Sequence, residues 1–155
     1  MPFSQGDFYQ KIDQIFPKSK YILTVRDSEK WFESLCNFHL ICFRNMGLNF
    51  KNISEVKKEH IKKFNWIKEG YYYNYTKKFW ISEFKNDQVI HDWNLLYNKD
   101  HYISVYEKRN KEIQTYFQSK KEDLLIFNVN ENKDILKIID FFNISKDLNL
   151  DLPYE

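Results

Sequence analysis

The 155-residue sequence contains no alanine and only three glycines, three prolines and two cysteines. Gly6, Gly47 and Gly70 are too scattered to form a glycine-rich loop that wraps phosphate in backbone N–H groups, so no Walker or Rossmann fingerprint is present. Cys36 and Cys42 lie six residues apart in a helical pattern, where their side chains point to different faces and do not pair locally. So few thiols, with no disulfide framework, fit a reducing compartment. No apolar run approaches the ~18 residues that a membrane span needs, and no charged-then-apolar leader opens the chain, so the expected location is cytoplasmic, with no membrane partner. The missing alanine, beside abundant Lys, Asn, Ile, Phe and Tyr, reads as the codon bias of an AT-rich genome. Aromatic richness therefore carries little functional weight here.

A charge of one sign is also lacking. The 24 Lys+Arg and 22 Asp+Glu leave a net +2, whereas a dedicated nucleic-acid binder concentrates a much larger basic excess on one face. A chain of this length buries roughly 68–70% of its unfolded surface, enough for one self-sufficient domain over residues 1–155.

What is present is an alternation of helix and strand signals. Residues 7–16 place Phe8, Ile12, Ile15 and Phe16 at helical spacing, and Pro17 stops the helix. Residues 21–25, Tyr-Ile-Leu-Thr-Val, read as a short strand that is apolar on both faces, as in the interior of a parallel sheet. A helix follows from Ser28, with Asp27 or Ser28 as N-cap, Trp31, Leu35, Phe38 and Cys42 on its inner stripe, and Gly47 at its end. Residues 54–68 read as helix, and 70–84 fit neither period. Residues 91–117 read as a helix interrupted near Asp100, 124–129 as a second strand, and 134–142 as a helix with Ile135, Ile138, Ile139 and Phe142 inward. Pro153 is expected to end ordered structure. The order predicts a three-layer α/β fold with a parallel sheet flanked by helices and a large helical insert.

Ligands of open α/β sheets sit beyond the carboxyl ends of parallel strands, near helix N-termini. Arg26 stands at such a position, and its guanidinium fork matches phosphate oxygens at any relevant pH. Ser34 follows eight residues later, two helical turns on, where its hydroxyl can donate to the same anion. Strand, Arg, helix and Ser together make a phosphate clamp without glycine.

The run from Phe16 to Ser34, FPKSKYILTVRDSEKWFES, resembles the 3'-phosphate-binding motif of sulfotransferases that use 3'-phosphoadenosine 5'-phosphosulfate (PAPS). Members of that family typically read Pro-x-Ala-Lys, a hydrophobic residue, then Ile-Leu-Thr-Val-Arg-Asp-Pro-x-x-Trp-x-x-Ser. Tyr106–Phe117, then Leu124–Val129, then Ile135–Asn143 are similar in order and spacing to the family's late helix, its next strand and its final Leu-Gly-type ending. The resemblance implies a P-loop-NTPase-like sheet, sulfuryl transfer from PAPS to an unknown small-molecule or carbohydrate acceptor, and adenosine 3',5'-bisphosphate as product. It assigns Arg26 and Ser34 to the 3'-phosphate and, more loosely, Phe127 to the adenine.

Two departures accompany the match. Ser28 replaces the family's Pro, a good N-cap for a good first helical residue. The Gly-x-x-[RK]-[ST]-Gly-[ST] loop that cradles the 5'-phosphosulfate in the family has no counterpart, so the resemblance implies a C-terminal portion of a sulfotransferase, or a descendant without the donor loop. Sulfuryl transfer depends on positioning and on stabilising negative charge, which that loop supplies. The alternative is therefore a non-catalytic nucleotide-binding or interaction module, with an unpaired sheet edge open to partners or to a second copy.

Other residues carry blander readings. Cys36, His39 and Cys42 have ligand-like spacing, but core packing accounts for them and no metal is expected. His91 and His101 are of the residue type that most often serves as a general base, yet they lack a defined partner, so no catalytic residue is assigned. Lys57, Lys58, Lys62 and Lys63, followed by Tyr71–Tyr75, suggest RNA contacts, but Glu55, Glu59 and Glu69 dilute the charge. A solvated helix face is expected there, and no nucleic-acid partner.

Overall fold

The computed structural model describes residues 8–64, 68–130 and 134–144. Pro153, and residues 65–67 within the expected 54–68 helix, lie outside them. The fold is mixed α/β, with a small parallel sheet and helices. The elements in chain order are α1 (Phe8–Ile15), β1 (Tyr21–Val25), α2 (Ser28–Asn45), α3 (Lys58–Lys63), α4 (Tyr71–Phe79), β2 (Ser82–Lys85), β3 (Gln88–His91), α5 (Lys99–Tyr116), β4 (Leu124–Asn128) and α6 (Asp134–Phe141). Among the described residues no helix is long and apolar enough to cross a membrane.

The chain divides into two compact units. One comprises Gln10–Arg26 and Asn110–Glu155, the other Asp27–Arg109 together with Met1–Tyr9.

The first unit holds the parallel sheet. β1 pairs with β4 from Tyr21 opposite Leu124 to Val25 opposite Asn128, and the Val129 N–H extends the ladder to the Val25 carbonyl at 3.1 Å. At the amino end, Lys20 Nζ donates to the Glu122 carbonyl and approaches Asp123 Oδ1 at 3.4 Å, holding the two strand starts level. Tyr21 packs on buried Phe117, and α6 lies against β4. Buried Asp13 accepts from Tyr116 at 2.9 Å and from Lys120, which ties α1 to the end of α5. The Lys120 hydrogen bond holds the Asp13 carboxyl below the usual carboxylate range. One expectation fails here. β1 is not buried on both faces, since Ile22 and Thr24 are exposed and β1 has a single strand neighbour among the described residues.

The second unit is helical and built on aromatic packing. Phe43, Ile61, Phe64, Tyr72 and Tyr102 are at most 4% exposed. Phe64 meets Phe43 at 5.0 Å and Tyr72 at 4.6 Å, while Trp80 stacks on Tyr102 at 4.7 Å. Such pairs contribute about 0.5–1.5 kcal/mol each beyond the area they bury. The inner stripe of α2 is Phe32, Cys36, His39 and Phe43, not the expected Trp31, Leu35, Phe38 and Cys42. Trp31, Leu35 and Cys42 flank that stripe, and Phe38 is 48% exposed.

Two further readings are corrected, and one stretch left open is now assigned. The 54–68 helix is a 3-10 turn at Ile53–Glu55 followed by the short α3. The stretch 70–84, which fits neither period, is α4 leading into an antiparallel hairpin, β2 with β3, whose turn residues Asn86 and Asp87 both have positive φ. The 91–117 helix starts only at Lys99. Tyr97 takes a left-handed φ of 55°, and Asn98 caps the helix by accepting from the His101 N–H at 3.0 Å. Asp100 is not an interruption but an acid in the first turn, where the helix dipole favours it.

Candidate functional site

Arg26 is the first residue beyond β1, just past the last paired residue of the parallel ladder. It is half-buried and is the last residue of the first of the two segments that make up the sheet-containing unit. The carboxyl end of β4 lies level with it in register, and there the Asn128 side chain accepts from the Asn130 N–H at 3.1 Å, forming a tight turn. Phe127 is half-buried on β4, opposite Thr24.

Asp27 opens the helical unit and caps α2, its Oδ1 accepting from the Lys30 N–H at 3.0 Å. Of the two N-cap residues that the sequence allowed, Asp27 is the one used. That leaves the Ser28 hydroxyl free to donate to Glu107 at 2.7 Å. Two more contacts join the start of α2 to α5. Glu29 pairs with Lys99, and Trp31 stacks on Tyr106 with ring centroids 4.3 Å apart at 12°. The first turn of α2 is thereby fixed by one hydrogen bond, one ion pair and one stacked ring. Ser34 lies on the same helix, exposed, about 9 Å along the axis from Ser28 at 1.5 Å per residue. Arg26 and Ser34 thus belong to different compact units.

Three of the four histidines bear on the site readings, each in its own environment. The His39 ring nitrogen Nδ1 lies 2.9 Å from the Tyr97 hydroxyl and 3.1 Å from that of Tyr72, and the two hydroxyls are 3.2 Å apart. Burial lowers the His39 pKa to about 4 and raises that of the Cys36 thiol to about 11, so both are neutral at pH 7. His39 is a core residue whose polar atoms are taken up by tyrosines. His101 Nε2 donates to the Trp80 carbonyl at 2.7 Å, a structural tie between α5 and the end of α4. His91 is exposed on β3, its Nδ1 3.0 Å from Ser82 Oγ.

The lysine and tyrosine segment is also explained by packing. Lys58 lies over the Trp93 ring at 5.2 Å and Lys62 over Tyr73 at 5.7 Å, while Tyr73 and Trp93 stack on each other. These ring faces are covered by the protein's own side chains.

The grouping of Ser82 and His91 with Lys77 and Lys78 is not visible in the periodicity of the sequence. Its signal was the Asn86-Asp87 pair between two short β-prone runs, a dipeptide type that tolerates the positive φ of a hairpin turn.

A family described as "Sulfotransferase domain" matches residues 3–144. No curated protein and no solved structure matches the chain. The matched span includes both strands of the parallel sheet and the whole strand–Arg26–helix–Ser34 segment, and on this match the chain belongs to the sulfotransferase domain family.

Proposed function

We propose that this sulfotransferase-family protein takes PAPS as donor, with Arg26 and Ser34 holding the nucleotide's 3'-phosphate. The observation that carries the reading is the place of Arg26, immediately past a parallel strand and followed by a firmly capped helix. A half-buried guanidinium at that point offers charge-assisted, bidentate donation to a phosphate. An exposed hydroxyl two turns into α2 suits a second donor. When bound, the donor supplies an activated sulfuryl group whose transfer leaves adenosine 3',5'-bisphosphate. Arg26 and Ser34 orient the nucleotide from its 3' end, and they take no part in moving the sulfuryl group. The acceptor is a small molecule or a carbohydrate, and the sheet extends the P-loop-NTPase-like arrangement of layered helices and parallel strands.

The test is calorimetric titration with adenosine 3',5'-bisphosphate and with AMP, which lacks the 3'-phosphate. Loss of charge-assisted hydrogen bonds worth about 1.5–3 kcal/mol predicts that AMP binds about 10- to 100-fold more weakly, and that Arg26→Ala removes the preference. Equal affinity for the two nucleotides, or binding indifferent to Arg26→Ala, overturns the proposal.

A second reading, a non-catalytic binding or interaction module, draws on the small size of the parallel sheet. Among the described residues β1 and β4 each pair on one edge only, and an open edge invites strand addition by a partner or by a second copy. Sedimentation over a wide concentration range checks it: this reading expects reversible dimers, and a strict monomer counts against it.

A further inference from the structure

Three consecutive elements of the helical unit, α4, β2 and β3, border a surface pocket of about 380 Å³ lined by Asn74, Lys77, Lys78, Ser82, Val89 and His91. Asn74, Lys77 and Lys78 are spaced i, i+3 and i+4, so they share one face of α4. Ser82 and His91 are directly opposed across the hairpin, and Val89, two residues before His91, shares its side of β3.

The pocket has two polar halves. On the helix side, Lys77 and Lys78 rest against the rings of Tyr73 and Phe79, at 5.6 and 5.1 Å. Neither forms an ion pair with a carboxylate among the described residues. On the hairpin side, hydrogen-bond accounting determines the state of His91. The Ser82 hydroxyl has one proton and donates it to the Lys77 carbonyl, which can only accept. Toward His91 the same oxygen must therefore accept, so the neutral imidazole carries its proton on Nδ1, 3.0 Å away. Nε2 remains a lone-pair acceptor on an exposed ring.

We propose that this pocket binds a small organic oxyanion that also bears a hydroxyl group. The two ammonium groups receive the anion, His91 Nε2 accepts from the hydroxyl, and Val89 with the lysine stems covers the apolar body. A bare anion or a neutral alcohol uses only one half of the pocket. The inference needs neither Arg26 nor Ser34 and stands separately from the nucleotide site.

The test is an amide-resolved NMR titration of the full chain with 4-hydroxybenzoate, using benzoate and phenol as comparators. Saturable shifts are expected at Asn74, Lys77, Lys78, Ser82 and His91, with phenol about tenfold weaker and benzoate several-fold weaker. The double variant Lys77→Gln/Lys78→Gln is expected to lose about tenfold in affinity for 4-hydroxybenzoate, and His91→Phe to bind it no better than benzoate. Shifts that do not saturate, or that fall away from these residues, overturn the proposal. So does undiminished affinity in the double variant when its spectrum is otherwise unchanged.

Discussion

A guanidinium differs from an ammonium in presenting its donors as a rigid fork, and this makes Arg26 a sharper probe of the nucleotide site than charge alone. Arg26→Lys keeps the charge and loses the fork, so its affinity for adenosine 3',5'-bisphosphate is expected between those of the wild type and Arg26→Ala, about tenfold below the wild type. Ser34→Ala removes one hydroxyl donor to an anion and is expected to cost about 1.5 kcal/mol of the same affinity. The residue is exposed, so the stability of α2 should be unchanged, and calorimetry with a melting curve separates the two effects. Arg26 and Ser34 can be singled out in the sequence because their relation is local: a strand end, a helix start and an eight-residue spacing. His91 was legible only as an isolated titratable group. Its partner Ser82 is nine residues away, across a turn that periodicity does not register.

At the scale of elements, the α2 start and the hairpin turn each rest on one or two residues. Asp27→Ala deletes the N-cap and is expected to destabilise the protein by about 1 kcal/mol in chemical denaturation. It should also loosen the presentation of Ser34, seen as weaker nucleotide binding. In the hairpin, Asn86 and Asp87 have φ of 50° and 59°, which glycine adopts without side-chain strain. Asp87→Gly turns the pair into Asn-Gly, and a gain of a few tenths of a kcal/mol is expected from the same denaturation assay. The elements with punctuated ends were readable: α1 before Pro17, β1 before Arg26, and α2 between Asp27 and Gly47. The start of α5 was not. Trp93, Leu96 and Tyr97 have helical spacing, yet a left-handed Tyr97 breaks the run, held where its hydroxyl reaches His39. A bulky residue takes that conformation only under tertiary constraint, which no local pattern encodes.

At the scale of the molecule, the buried His39 couples stability to pH. Its pKa is lowered to about 4 in the fold against 6.5 when unfolded, so between these values the unfolded chain holds a proton that the folded chain does not. Stability is therefore complete above about pH 6.5 and falls as the pH drops toward 4, by about 3 kcal/mol in all. Denaturation at about pH 7 and about pH 5 should show the decline in the wild type and a flatter dependence in His39→Gln. An NMR titration of the His39 ring that shows protonation already near pH 6.5 would contradict it. By itself the sequence determined the α/β class, the two strands that form the parallel sheet, the capped helix that follows Arg26 and carries Ser34, and the family those features resemble. Each of these is written in short-range composition, caps and spacing. Only the tertiary structure decided which stripe of α2 is buried, where α3 and α5 begin, that β1 keeps an exposed face, and that Lys77, Lys78, Ser82 and His91 border one pocket. The reason is physical. α2 carries apolar residues around much of its circumference, so its periodicity permits more than one rotation, and packing against the aromatic core of the unit selects one.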